Sequence, residues 1–104
     1  MIRYAEAVLD GHPDKFSDLI ADRIIEEAYC FDDEAYGQVE VGLWSDRIWL
    51  SGGVATRRSF TTAIRDLVVE VGTSIGYTPE NHIDVENYHI DNQICFITDD
   101  PRPW

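Results

Sequence analysis

The spacing of apolar residues switches between two periods along this chain, and that switching restricts the fold more than any other property. From Asp14 to Cys30, Phe16, Leu19, Ile20, Ile24 and Ala28 recur every three or four residues, which predicts a helix with one buried stripe. Pro13 suits its first position, where the missing N–H costs nothing and the fixed φ already matches the helix. The run Phe31-Asp32-Asp33-Glu34 breaks the pattern. Two β-rich runs follow, Gly37 to Leu43 and Ile48 to Ala55, and their link predicts an antiparallel hairpin turning near Ser45-Asp46. Gly52-Gly53 would weaken the second strand unless a bulge or a close backbone approach needs them. Ser59 is the expected N-cap of a second helix with the stripe Phe60, Ile64, Leu67, Val68, Val71 and Ile75, and Gly76 should end it. After a turn at Thr78-Pro79-Glu80-Asn81, an extended region runs from about Ile83 to Ile97. Its alternation changes phase, which predicts a bulge or bend near Glu86-Asn87. The tail from Asp99 to Trp104 cannot continue a central strand. The expectation is one α+β domain over residues 1–104, with two helices on one face of a small, mostly antiparallel sheet. Apolar residues on the other face call for a partner such as a second chain.

Charge removes several functions. With 20 acidic residues against 8 basic ones, the chain carries −12, and such a surface repels a nucleic-acid backbone. The 44% hydrophobic content supplies a core, which argues against disorder. No apolar run reaches the ~18 residues of a membrane span, and the N-terminus has no apolar signal core. Cys30 and Cys95 form no paired framework and are expected as buried thiols in a reducing compartment, which points to a cytoplasmic location.

A small phosphate ligand remains compatible with this charge, and one segment suits it. In Asp10-Gly11-His12-Pro13-Asp14-Lys15, a glycine, a histidine and a lysine flank a helix N-terminus, whose free N–H groups favour anions. His12 and Lys15 would add donors to phosphate oxygens, and Asp14 could hold a divalent cation bridging them. The plainer alternative is that Asp10 or Asp14 only caps the helix. Asp14, Asp18, Asp22 and Glu26 follow at intervals of four, a spacing that suits a solvated acidic face; only Asp14 adjoins the phosphate end. Glu40 lies between Val39 and Val41, so it points away from the valines' side, to be solvated, paired with an arginine or holding a cation. His82 and His89 do not suggest a metal site. No serine or cysteine arrangement supports nucleophilic catalysis.

The segment from Ala5 to Lys15, with Gly11-His12-Pro13-Asp14-Lys15 at its end and the aspartate series behind it, resembles the N-terminal signature of the S-adenosylmethionine synthetase (methionine adenosyltransferase) family. The likeness extends more weakly through Glu40, Leu50-Ser51-Gly52, the second helix and Ile75-Gly76-Tyr77. It implies a transferase in which methionine sulfur displaces the triphosphate of ATP, with Mg²⁺ and K⁺ as cofactors. By the resemblance His12 is the catalytic contact to the triphosphate, Asp14 a magnesium ligand and Glu6 a residue near ATP and its metal. Glu40 then holds potassium, and Lys15 sits at the phosphate end. Two positions depart from the family. Gly53 stands where the family has a methionine-binding glutamate, and Asp99 is the best match to a methionine-binding glutamine. Family members are much longer, three-domain chains with sites between two subunits. The resemblance therefore implies either a fragment of such an enzyme or a stand-alone homologue acting as a nucleotide, metal or protein-binding module. A homodimer, or pairing with a longer homologous chain, is expected, and the chain alone should lack useful turnover.

Overall fold

The computed structural model describes residues 13–78, 80 and 84–103, with only the backbone of Pro13 and Asp14. Helix α1 (Pro13–Phe31) starts at the proline and ends in the acidic run, as the periodicity predicts. Phe16, Ile20, Ile24 and Ala28 are buried to within 1%, while Asp18, Asp22 and Glu26 are exposed. The acidic series is a solvated face over those three residues. Strands β1 (Tyr36–Trp44) and β2 (Arg47–Thr56) form the expected antiparallel hairpin, turning at Ser45, whose φ of 57° is left-handed. Alternation sets the faces: Val39, Val41 and Leu43 of β1 point towards α1, and Ile48, Leu50 and Val54 of β2 point the same way.

Helix α2 (Ile64–Ser74) begins four residues later than a helix capped by Ser59 would. The delay has a tertiary cause. Phe60 stacks between Phe31 and Phe96, with ring centroids 5.1 and 4.8 Å away, and the Thr62 hydroxyl donates to Glu27 Oε2 at 2.6 Å. Ser59 Oγ lies 3.4 Å from Thr98 Oγ1 instead of capping. These contacts hold the segment out of the helix, and Ala63 takes the N-cap position without a side-chain bond. At the other end Gly76 adopts φ 95°, the left-handed conformation that stops a helix. Ile64, Leu67, Val68 and Val71 complete the core, and each large side chain removed from water contributes about 1.5–3 kcal/mol.

The phase change near Glu86-Asn87 is a 3₁₀ turn at Val85–Asn87, and strand β3 (His89–Thr98) follows it. Ile83 lies outside the described residues. The sheet order is β1-β2-β3; β3 pairs parallel to β2, with Arg47 opposite His89 and Thr56 opposite Thr98. A parallel partner needs a crossover connection, and α2 supplies it. The result is an α+β sheet with both helices on one face.

Charged side chains join these layers. Arg23 of α1 bridges to Glu70 of α2 at 2.7 Å and to Glu27 at 2.9 Å, which raises its pKa still further. The Thr62 hydroxyl bond, with Arg23 beside it, holds Glu27 below the usual carboxylate range. At the end of α1, Asp32 has a side chain only 1% exposed and accepts hydrogen bonds from Arg57 Nε, Arg57 Nη2 and the backbone N–H groups of Arg57 and Glu34. The Arg57 guanidinium holds the Asp32 carboxyl well below its ordinary range. Arg58 donates to the carbonyls of Phe31 and Cys30, satisfying helix-end acceptors in a last turn with no basic residue of its own.

The expectation of buried thiols is overturned. Cys30 and Cys95 are both exposed, Cys30 on the outer side of the last α1 turn and Cys95 on the sheet face away from the helices. They therefore carry no argument about compartment. No helix among the described residues is long and apolar enough to cross a membrane.

Candidate functional site

The outward sheet face carries the side chains that the core does not use. Along β1 these are Tyr36, Gln38, Glu40, Gly42 and Trp44, and the register sets them against Ala55, Gly53, Ser51, Trp49 and Arg47 of β2. Tyr36 is 40% exposed, Trp49 44% and Trp44 74%, an unusual aromatic exposure for one face of a small sheet. Next to them lies a depression of about 520 Å³ lined by Tyr36, Gln38, Glu40, Ser51, Gly52 and Gly53.

Two glycines shape its floor for different reasons. Gly52 has φ 122°, and a Cβ there would lie 1.9 Å from the Gln38 carbonyl oxygen, so the close approach of β1 demands glycine. Gly53 is under no such constraint: a Cβ would meet only the Cys95 carbonyl oxygen, at an ordinary 3.8 Å. Its lack of a side chain leaves the depression open. The sequence-level expectation of a bulge or close approach at this pair holds at Gly52.

Glu40 is exposed at the wall of this depression, on the face opposite Val39 and Val41, as strand alternation predicts. Among the described residues no cation pairs with it, although Arg23, Arg57 and Arg102 are all engaged with carboxylates elsewhere. An uncommitted carboxylate is a hard oxygen donor suited to a cation or an amine. Among the described residues no three His, Cys, Asp or Glu side chains gather as a metal cluster, and Glu40 offers one carboxylate at the wall of the depression.

Lys15 is exposed in the first turn of α1 and does not line the depression. Asp14 lies in the same turn, with its side chain outside the described atoms; His12 and Glu6 also lie outside the described residues. Asp99 is exposed at the end of β3, its Oδ1 accepting the Asp100 N–H at 2.7 Å. Tyr36, Gln38 and Ser51 were not singled out from sequence. The signal for the first two was present, since residues 36, 38 and 40 share one face of a strand.

A second concavity, about 440 Å³, lies among Tyr29, Cys30, Phe31, Asp32, Asp33, Arg57 and Arg58. Its buried carboxylate is saturated by Arg57, and Arg58 is spent on helix-end carbonyls, so its polar groups serve the fold.

Comparison with known proteins gives these features a family. The fold is that of a domain of the adenosyl-transferring synthetases: the chain matches the solved structure of an unusual S-adenosylmethionine synthetase from Campylobacter jejuni with a TM-score of 0.72 and 27% identity, over 86% of this chain and 25% of that one. It is 32% identical over 74 residues to the S-adenosylmethionine synthase of Borrelia garinii, covering 71% of this chain and 19% of that protein. To the S-adenosylmethionine synthase of Cytophaga hutchinsonii it is 30% identical over 79 residues, 76% of this chain and 18% of that protein. The family model described as S-adenosylmethionine synthetase, N-terminal domain, matches residues 1–97. The chain belongs to the S-adenosylmethionine synthetase family and carries its N-terminal domain. It spans about a fifth of the length of the curated relatives it matches.

Proposed function

We propose that residues 1–104 act as one domain that supplies the triphosphate and cation side of S-adenosylmethionine synthesis from ATP and methionine. In that reaction the methionine sulfur forms a bond to C5′ of ATP while the C5′–O bond breaks, and the electron pair leaves on the triphosphate. The domain's contribution is to stabilise that departing charge. His12 donates to the triphosphate beside the leaving oxygen, Lys15 adds a positive charge at the phosphate end, and both act at the N-terminus of α1, where backbone N–H groups also favour anions. Asp14 would hold Mg²⁺, whose chemistry is to neutralise phosphate oxygens, and Glu6 would stand near ATP and that metal. Glu40 would hold K⁺.

The observation that best supports this reading is Glu40: an exposed carboxylate, without a cation partner among the described residues, at the wall of an open depression. The exposed aromatics Tyr36, Trp44 and Trp49 support a second copy, or a longer homologous chain, covering the same face. Calorimetry with Mg²⁺-ATP tests the proposal. Binding is expected, weakened by His12→Ala and by Asp14→Asn, and the absence of heat in every sample would sink it. The isolated chain with ATP, methionine, Mg²⁺ and K⁺ is expected to give no steady production of S-adenosylmethionine.

Gly53 favours a second reading, a binding module without catalysis. The fold would accept a side chain there, yet the position that the family resemblance gives to a methionine-binding glutamate has none. Methionine calorimetry separates the two readings: binding that depends on Glu40 or Asp99 supports the synthetase side, and ATP binding without any methionine binding supports the module.

A further inference from the structure

After β3 the chain enters a tight turn that is docked on the end of β2. The Asp99 N–H donates to the Thr56 carbonyl at 3.0 Å, the last rung of the β2–β3 ladder. Asp99 continues the phase of Cys95 and Ile97, which stand opposite Gly53 and Ala55, so the ladder delivers it at the end of the outer sheet face. Beyond that rung the turn closes on itself. Asp99 Oδ1 accepts the Asp100 N–H at 2.7 Å, the Asp100 carboxylate accepts bonds from the Arg102 N–H and guanidinium, and Pro101 is fully buried.

The last rung of a ladder ordinarily frays, because nothing beyond it fixes the strands. Here the residue that follows Thr56 is held. Asp32, at the end of α1, accepts the Arg57 N–H at 2.8 Å, Arg57 Nε at 2.8 Å and Arg57 Nη2, so the backbone and the side chain of Arg57 are tied to one buried carboxylate. A planar guanidinium that meets a carboxylate through two bonds fixes angle as well as distance. Thr56 itself is 1% exposed, and its hydroxyl donates to the Arg58 carbonyl at 2.6 Å. The carbonyl that receives the Asp99 amide therefore belongs to a corner that α1 holds in place.

We infer that Asp32 and Arg57 are positioning residues for Asp99: the pair fixes the corner from Thr56 to Arg58, and the corner fixes the backbone from which the Asp99 carboxylate projects. The functional half of this inference rests on the proposed reading that puts Asp99 on the methionine side of the synthetase reaction. A carboxylate that must meet an ammonium is effective only where it is held at bonding distance, since a displaced one loses the charge-assisted bond. Asp32 and Arg57 act through the last rung rather than on the substrate.

The test reads amide exchange at Asp99 against that at Val68, an interior residue of α2, in the parent chain, Arg57→Lys and Arg23→Lys. Methionine calorimetry is run on the same samples and on Asp99→Ala. Arg57→Lys keeps the charge and the backbone N–H but loses the fork, so Asp32 is not left buried without a cation. It is expected to speed exchange at Asp99 on the order of tenfold more than at Val68, and to weaken methionine binding in the same direction as Asp99→Ala. Arg23→Lys loosens the ion pairs with Glu27 and Glu70 and is expected to leave the ratio of the two exchange rates at the parent's value. Where Arg57→Lys does not fold, Arg57→Gln combined with Asp32→Asn, which removes both charges together, is read in its place. The positioning role is overturned if the folded Arg57 variant changes both amides equally, or if Arg23→Lys raises the ratio as much. It is equally overturned if methionine binding is lost in Asp99→Ala but kept in the Arg57 variant. A parent that binds no methionine, while the Arg57 variant still frees the Asp99 amide, overturns the role given to Asp99 and upholds the positioning.

Discussion

The two faces of the sheet are built from the same strands by opposite rules. On the helix side the hairpin turns in its apolar side chains, with Ile48, Leu50 and Val54 at 1% exposure or less and Val39, Val41 and Leu43 partly buried. On the other side the intervening positions hold Tyr36, Glu40, Trp44 and Trp49, all exposed, with the Glu40 carboxylate unpaired among the described residues. The contrast separates stability from recognition: one face holds the domain together, and the other offers surface to something else.

Substitutions on the closed face should have the largest effect. Phe16→Ala leaves a cavity between α1 and Tyr77, whose ring meets Phe16 edge-on at 4.7 Å, and is expected to lower stability by about 3–5 kcal/mol in a denaturant titration. A loss below about 1 kcal/mol would break the comparison. Next comes the seam between the faces. Gly52→Ala must place a methyl group against the Gln38 carbonyl at a φ that disfavours it, with an expected loss of about 1–3 kcal/mol or more, whereas Gly53→Ala should stay within about 1 kcal/mol of the parent. Equal effects at the two glycines would refute the assignment of strain to Gly52 alone.

Acid sensitivity should follow the ion pairs beside the closed face. The carboxyls of Asp32 and Asp100 are both held below their unfolded value, Asp100 near about 2 by Arg102. Their contribution is complete above about 3.9 and is lost as pH falls through the folded values, because the unfolded chain then takes up protons first. Asp32→Asn is expected to unfold more easily near neutral pH and to show a shallower loss below about pH 4; an unchanged slope would contradict this linkage. The smallest effect on stability is expected for Trp44→Ala combined with Trp49→Ala, within about 1 kcal/mol. The same pair should reduce self-association in sedimentation, and an unchanged distribution would remove these indoles from any interface.

Much of the closed face was legible in the sequence, because periodicity reports which side of an element is buried. The stripe of α1, the turn at Ser45 and the stop at Gly76 follow from spacing and backbone chemistry alone. The start of α2 did not, since Phe60 and Thr62 are held by Phe31, Phe96 and Glu27, partners remote in sequence. Strand alternation likewise says nothing of which neighbour β3 takes or in which direction. For the site, parity placed Glu40 on the outer face, but its position beside Gly52 and Gly53 needed the hairpin register. The exposure of Cys30 and Cys95 shows the limit of residue averages: a thiol is buried only if its phase is.

The parallel pairing of β3 also bears on how the chain reaches this fold. Arg47 and His89, which open the paired register, stand 89 − 47 = 42 residues apart, while the hairpin strands close across a two-residue turn. Closing the longer loop is entropically slower, so the helix and hairpin should assemble before β3 arrives. During that interval the apolar edge of β2 is bare, and the half-formed domain is more prone to stick to its neighbours than the finished one.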